Sequence, residues 1–207
     1  MVLRTSARAL CFSTAEYASP IWNRSVHSKK VDVALNETCR IVSGCMKPTP
    51  IHLLFKAAGF AEPKVRRASH EYTERFKQTF DERHVMYGKP NPPPSRLVSR
   101  HPFLTRTSVD PPDWYPVSEE EPSGVEMDWL SWRTLNRIRA GVAPVKTNLY
   151  KWGLTTDDKC ECGERQTMEH LYNCTKCMFT VSLDDLWHGR NVNDFVKYWM
   201  GHLDTKK

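Results

Sequence analysis

The chain has 207 residues, 40% of them hydrophobic and 26% charged, with a formal net charge of +6. That length accommodates one sizeable domain or two small ones. No apolar run approaches the roughly 18–20 residues that span a bilayer, so a membrane-crossing helix is not expected.

Residues 1–88 hold 14 Lys/Arg against 8 Asp/Glu, residues 89–127 hold 4 against 6, and residues 128–207 hold 12 against 10. The positive field therefore concentrates in the first segment, where it would attract phosphate backbones. Val2 to Ala18 reads as an amphipathic first helix ending at Pro20, because the residue before a proline avoids the helical region. Arg4, Arg8 and the lack of acids before Glu16 also fit a transit peptide, but the helix is preferred. Ser28 caps a second helix with Val31, Leu35, Cys39 and Val42 on one side, closing near Gly44. Thr49-Pro50 opens a short helix, Ile51–Ala58, that Gly59 terminates. Pro63 starts a fourth helix with Val65, Ala68, Tyr72, Phe76 and Thr79 at the helical period, ending at Gly88. Its other face, with Arg66 and Arg67, reads as a solvated surface.

Nine of the 14 prolines fall in residues 89–123. Such a stretch sustains neither helix nor sheet ladders and is expected to act as a semi-extended linker over residues 89–127. Helical patterning resumes at Asp128, a cap before the apolar stripe of Trp129, Trp132, Leu135 and Ile138, which Gly141 ends. A short helix from Pro144 to Trp152 follows, stopped by Gly153. Two more pieces, Leu183–Trp187 and Asp194–Leu203, close the chain. Strand signals are almost absent. The predicted fold is mostly α, with helical regions at residues 1–88 and 128–207 joined by the proline-rich linker.

Seven cysteines, an odd and scattered set, argue against a disulfide framework and for an intracellular, reducing compartment, nuclear or cytoplasmic. Cys11, Cys39 and Cys45 read as small buried hydrophobes in helices. Cys160-Glu161-Cys162-Gly163 followed by His170 and Cys174 is different. Two thiols flank one residue, glycine turns the chain, and His170 and Cys174 lie one helical turn apart on a helix that Thr167 caps. Four such donors suit a structural Zn2+ site. Cys177 is the alternative fourth ligand, and His170 is preferred for its spacing to Cys174. Four protein donors leave no coordination position for water, so zinc hydrolysis is disfavoured. The order of Glu169-His170 and the cysteine pair is the reverse of a zinc deaminase signature.

Arg133, Arg137 and Arg139, with Lys146 and Lys151 downstream, form a basic cluster suited to phosphate oxygens. Trp152 could stack on a base but is expected in the core. For Arg133 and Arg137, nucleic-acid contact and solvated surface both stand. No glycine-rich phosphate loop, nucleophile elbow or paired-aspartate polymerase motif occurs. The remaining histidines read as surface residues, and no catalytic residue is expected.

Two sets of residues resemble a known family. Ser13-Thr14-Ala15-Glu16-Tyr17-Ala18-Ser19-Pro20-Ile21-Trp22, Val31-Asp32 through Arg40-Ile41-Val42-Ser43-Gly44, and Pro48-Thr49-Pro50 resemble the segment after the palm of non-LTR, jockey-like or LINE-type retrotransposon reverse transcriptases. Thr134-Leu135-Asn136-Arg137-Ile138-Arg139-Ala140-Gly141, Lys151-Trp152-Gly153-Leu154, Cys160-Glu161-Cys162-Gly163 and Gln166-Thr167-Met168-Glu169-His170 are similar to the C-terminal zinc-knuckle region of the same proteins. The resemblance implies a thumb-like helical bundle over residues 1–88 and a knuckle spanning 160–174 with Cys160, Cys162, His170 and Cys174 on the metal. It implies binding to RNA or DNA with little sequence preference, and partnership with a palm and endonuclease that this chain does not contain. The palm aspartates carry over to nothing, so no polymerase activity is expected of the chain alone. A zinc-stabilised protein-interaction module and a translated remnant without function are the alternatives. Residues 181–207 have no role in this reading.

Overall fold

A computed structural model describes residues 2–17, 19–23, 25–73 and 119–203. The expected helix beyond residue 73 and the proline-rich stretch up to residue 118 lie outside the described residues. The fold is mostly α, as the patterning predicts. The described residues contain no strand, and one isolated bridge joins Lys159 to Arg165.

The first helix runs through Val2–Ser6, a π-helical segment Ala7–Phe12, and Ser13–Glu16. The wider turn is a departure from the plain helix expected of this stretch. It directs Ala7, Phe12 and Glu16 inward, and Phe12 stacks on Phe60 with ring centroids 4.4 Å apart. Cys11 faces solvent, contrary to expectation, because that part of the helix turns its outer side to water. Ser28–Ser43 buries Leu35, Cys39 and Val42, a spacing of four and three that makes one face. Burial pushes the Cys39 thiol up to about 12, so it stays a neutral, inert core group. Ile51–Ala58 packs against this helix and ends at Gly59 with φ +71°.

Residues 63–73 are helical, and their charged face is not the solvated surface the sequence suggests. Arg66 donates to Glu16 from the first helix, at 2.8 Å through one nitrogen, and also to Glu119, which lies beyond the prolines. Both carboxylates are buried, and Arg8 and the half-exposed His70 complete the cluster. Burial alone would lower the Arg66 pKa; hydrogen bonds and charge from Glu16 and Glu119 outweigh it and hold the pKa above its ordinary value. Arg67 pairs with Asp32 and donates to Asn23 at 2.7 Å. Helical periodicity marks which side of a helix is polar, but it does not reveal which polar side meets another helix.

The Trp129–Arg139 helix begins where expected, with the Asp128 side chain accepting from the Leu130 and Ser131 amides. The hydrogen bond from Ser131 holds the Asp128 carboxyl below its usual range. Trp132, Leu135 and Ile138 are buried, whereas Trp129 is 43% exposed. Trp129 occupies the first turn, where the helix has not yet reached the core.

This helix joins the two parts of the chain. Trp132 Nε1 donates to the Val42 carbonyl at 3.1 Å, Asn136 Nδ2 to Ser43 at 2.9 Å and Arg137 Nε to Gly44 at 2.9 Å. Those carbonyls end the Ser28–Ser43 helix and have no partner within it, so three side chains of one helix complete the end of another. Gly44 is required there twice over. Its φ is +68°, and a Cβ would lie 2.5 Å from Arg133 Cγ.

Candidate metal centre

Cys160 and Cys162 sit on a tight turn in which the Cys160 amide donates to the Glu164 carbonyl at 2.7 Å and Gly163 donates to Cys160 at 2.9 Å. Gly163 has φ +91°, a conformation costly for any residue with a Cβ. The other two donors come from the short His170–Asn173 helix and the residue just after it, Cys174. The Thr167 hydroxyl accepts from the His170 amide at 3.2 Å, but the residue at the N-cap is Glu169, two positions later than the sequence suggests. Cys174 itself is extended, so the helix ends one residue earlier than the sequence suggests.

The ligand atoms of Cys160, Cys162, His170 and Cys174 all lie within 4.8 Å of one another. Cys160 Sγ and Cys174 Sγ are 3.8 Å apart, and Cys162 Sγ is 3.3 Å from His170 Nε2. A tetrahedral ion bound by thiolates at about 2.3 Å requires sulfur–sulfur edges of about 3.8 Å. The residues therefore fit such an ion. His170 Nδ1 lies 3.2 Å from Glu164 Oε2, on the side of the ring away from Cys162. The sequence offered no signal for Glu164 beyond its place one residue past the knuckle glycine. Cys177 stays outside the four-donor set; its sulfur lies 3.5 Å from the Phe179 carbonyl oxygen, and burial pushes its thiol up.

The centre is fastened to the rest of the fold on two sides. Gln166 is buried; its side chain accepts from the Lys146 amide at 2.8 Å and its carbonyl from the Thr147 hydroxyl at 2.9 Å. Cys160, Leu171 and Cys174 share one apolar core with Leu135, Ile138, Phe195 and Trp199. Trp199 Nε1 donates to the Leu171 carbonyl at 3.2 Å. The Leu183–His188 and Val192–Leu203 helices, without a role in the sequence reading, build the wall behind the ligands. Ser182 and Asp185 cap the first of them reciprocally, a signal visible in the sequence as a serine three residues before an acid.

The five basic residues of the sequence reading separate. Arg139 is buried, donating to the carbonyls of Leu186 at 2.7 Å and Ser123 at 2.8 Å. Burial pushes its guanidinium down to about 10, so it remains charged at neutral pH while bound to protein oxygens. It is a structural tie between three segments and no phosphate contact. Arg133 and Arg137 are half-buried at the crossing with Gly44. Lys146 lies 3.9 Å from Asp157, and Lys151 is exposed at the end of the Lys146–Lys151 helix. Trp152, expected in the core, is 45% exposed beside it, and Tyr150 is exposed as well. Leu149 and Thr147 already fill the inner side of this one-and-a-half-turn helix, which leaves no room inside for the indole.

No protein-family model, curated protein or solved structure matches the chain. The four-residue cluster, which could hold a metal ion, is what the fold itself offers as a functional feature. None of the helices described is long and apolar enough to cross a membrane.

Proposed function

We propose that the chain is a zinc-stabilised, non-catalytic nucleic-acid-binding module, corresponding to the thumb-like and knuckle regions of a non-LTR retrotransposon reverse transcriptase. The observation that carries this reading is the closed donor set of Cys160, Cys162, His170 and Cys174. Zinc suits three thiolates and one imidazole, and with all four positions taken by protein it shapes a surface instead of activating water. The resemblance of the flanking residues to that family, and the net charge of +6, support nucleic acid as the partner. Palm and endonuclease functions belong to another part of such proteins.

On this reading Lys151 meets phosphate, and the exposed rings of Tyr150 and Trp152 stack on unpaired bases, a sequence-tolerant mode. Anisotropy of a labelled single-stranded RNA, titrated at rising salt, tests it. Log affinity should fall linearly with log salt with a slope of several charges. Trp152→Ala should weaken binding by about 1–3 kcal/mol, the usual value of one base–aromatic stack. Lys151→Ala should lower affinity and reduce the salt slope by about one. Binding that ignores salt and both substitutions would remove the proposal, and salt-insensitive capture of an apolar protein would favour the interaction-module reading.

A further inference from the structure

Cys177 is a cysteine near the metal centre that the four-donor set does not use. Its amide donates to the Cys174 carbonyl at 3.1 Å, so the two cysteines occupy the first and last positions of a hydrogen-bonded turn across Thr175-Lys176. A β-turn brings its end Cα atoms within about 7 Å. Disulfides need Cα atoms about 4.4–6.8 Å apart, a separation that a turn of this kind can supply. Thr175 and Lys176 are exposed, Cys177 is half-buried and Cys174 is buried.

We infer that Cys174 and Cys177 form a peroxide-responsive oxidation site that releases the metal reversibly, a deepening that rests on the zinc reading above. The chemistry closes with hydrogen peroxide as the oxidant. The Cys174 sulfur attacks one peroxide oxygen, the O–O bond breaks, and the departing hydroxide takes a proton to become water, leaving a sulfenic acid on Cys174. The Cys177 sulfur then attacks the Cys174 sulfur; the S–S bond forms, the S–O bond breaks, and hydroxide leaves with the Cys177 proton as a second water. One peroxide is reduced by two electrons, and two thiols become one disulfide. The ion is left with Cys160, Cys162 and His170 and is lost to any competing chelator. Cys160 lies 3.8 Å from Cys174 through sulfur, but on the zinc reading both would be ligands of one ion, which would keep them from bonding to each other. Cys177 carries no such constraint.

The test uses the full chain. Metal content is measured first, and a preparation without zinc overturns the zinc reading itself and this inference with it. Zinc-loaded protein is then titrated with hydrogen peroxide while a chromogenic chelator reports released metal and non-reducing peptide mapping locates the disulfide. The wild type should release its zinc with a Cys174–Cys177 disulfide, and thiol reductant should restore binding. Cys177→Ser should bind zinc equally, release it several-fold more slowly, and advance to sulfinic acid that reductant does not reverse. Equal release and equal reversal in Cys177→Ser, or a disulfide mapped to Cys160 and Cys174, would overturn the inference while leaving the zinc reading intact.

Discussion

Cys160→Ser should fail to retain metal and should leave the C-terminal core without fixed tertiary packing. Structural zinc sites supply about 10–16 kcal/mol of apparent binding energy to folding. A whole domain is stable by only about 5–15 kcal/mol, so loss of the ion exceeds what the remaining core can offset. The segment from Lys159 to Cys177 has little regular structure of its own, its longest helix being His170–Asn173. Leu171 and the ligands also form the floor on which Trp199 and Phe195 pack, so the disorder should spread to the Val192–Leu203 helix. Near-ultraviolet circular dichroism of the tryptophans and amide dispersion by NMR would report it. A variant with wild-type tryptophan signal and an unchanged melting temperature would show that the ion is dispensable.

Arg66→Met should be the most damaging single change outside the metal centre. It leaves Glu16 and Glu119, both buried, without the guanidinium that pairs them. Removing one partner of a buried ion pair costs about 3–5 kcal/mol, and Arg8 and the half-exposed His70 offset only part of the charge left behind. For a domain of this size that is a fall of roughly 6–20 °C in melting temperature. Combining Arg66→Met with Glu16→Gln and Glu119→Gln should recover much of the loss, since neutral amides tolerate burial better than lone carboxylates. A single variant within about 1 kcal/mol of wild type would mean the cluster is hydrated like an ordinary surface pair.

These two sites differ in how far the sequence revealed them. The metal ligands were legible because coordination chemistry demands particular residue types at short spacing, and Cys160, Cys162, His170 and Cys174 meet as the spacing implies. The helices Ser28–Ser43, Ile51–Ala58 and Trp129–Arg139 were legible for a similar reason, their glycine stops and apolar periods being local. What could not be read was long-range polar pairing. Arg66, Arg67, Arg137 and Arg139 look like surface cations in sequence, yet each finds an oxygen more than fifteen residues away in at least one bond. The same limit hid Glu119, which falls in a stretch whose prolines suggest a linker but whose carboxylate is buried against Arg66. Trp152 failed in the opposite direction. Large apolar area argues for burial, but a helix of six residues ran out of inner face before reaching it.

Cobalt substitution tests the central claim most directly, because the visible spectrum of Co2+ reports both geometry and ligand type. One equivalent added to the reduced, metal-free chain should give the intense visible bands of a tetrahedral ion and the ultraviolet charge-transfer bands of cobalt–thiolate bonds. His170→Ala should shift the visible bands while keeping the thiolate signal, and zinc should abolish both by displacement. A weak octahedral spectrum, or no spectral change on adding cobalt, would contradict the assignment of Cys160, Cys162, His170 and Cys174 to one ion.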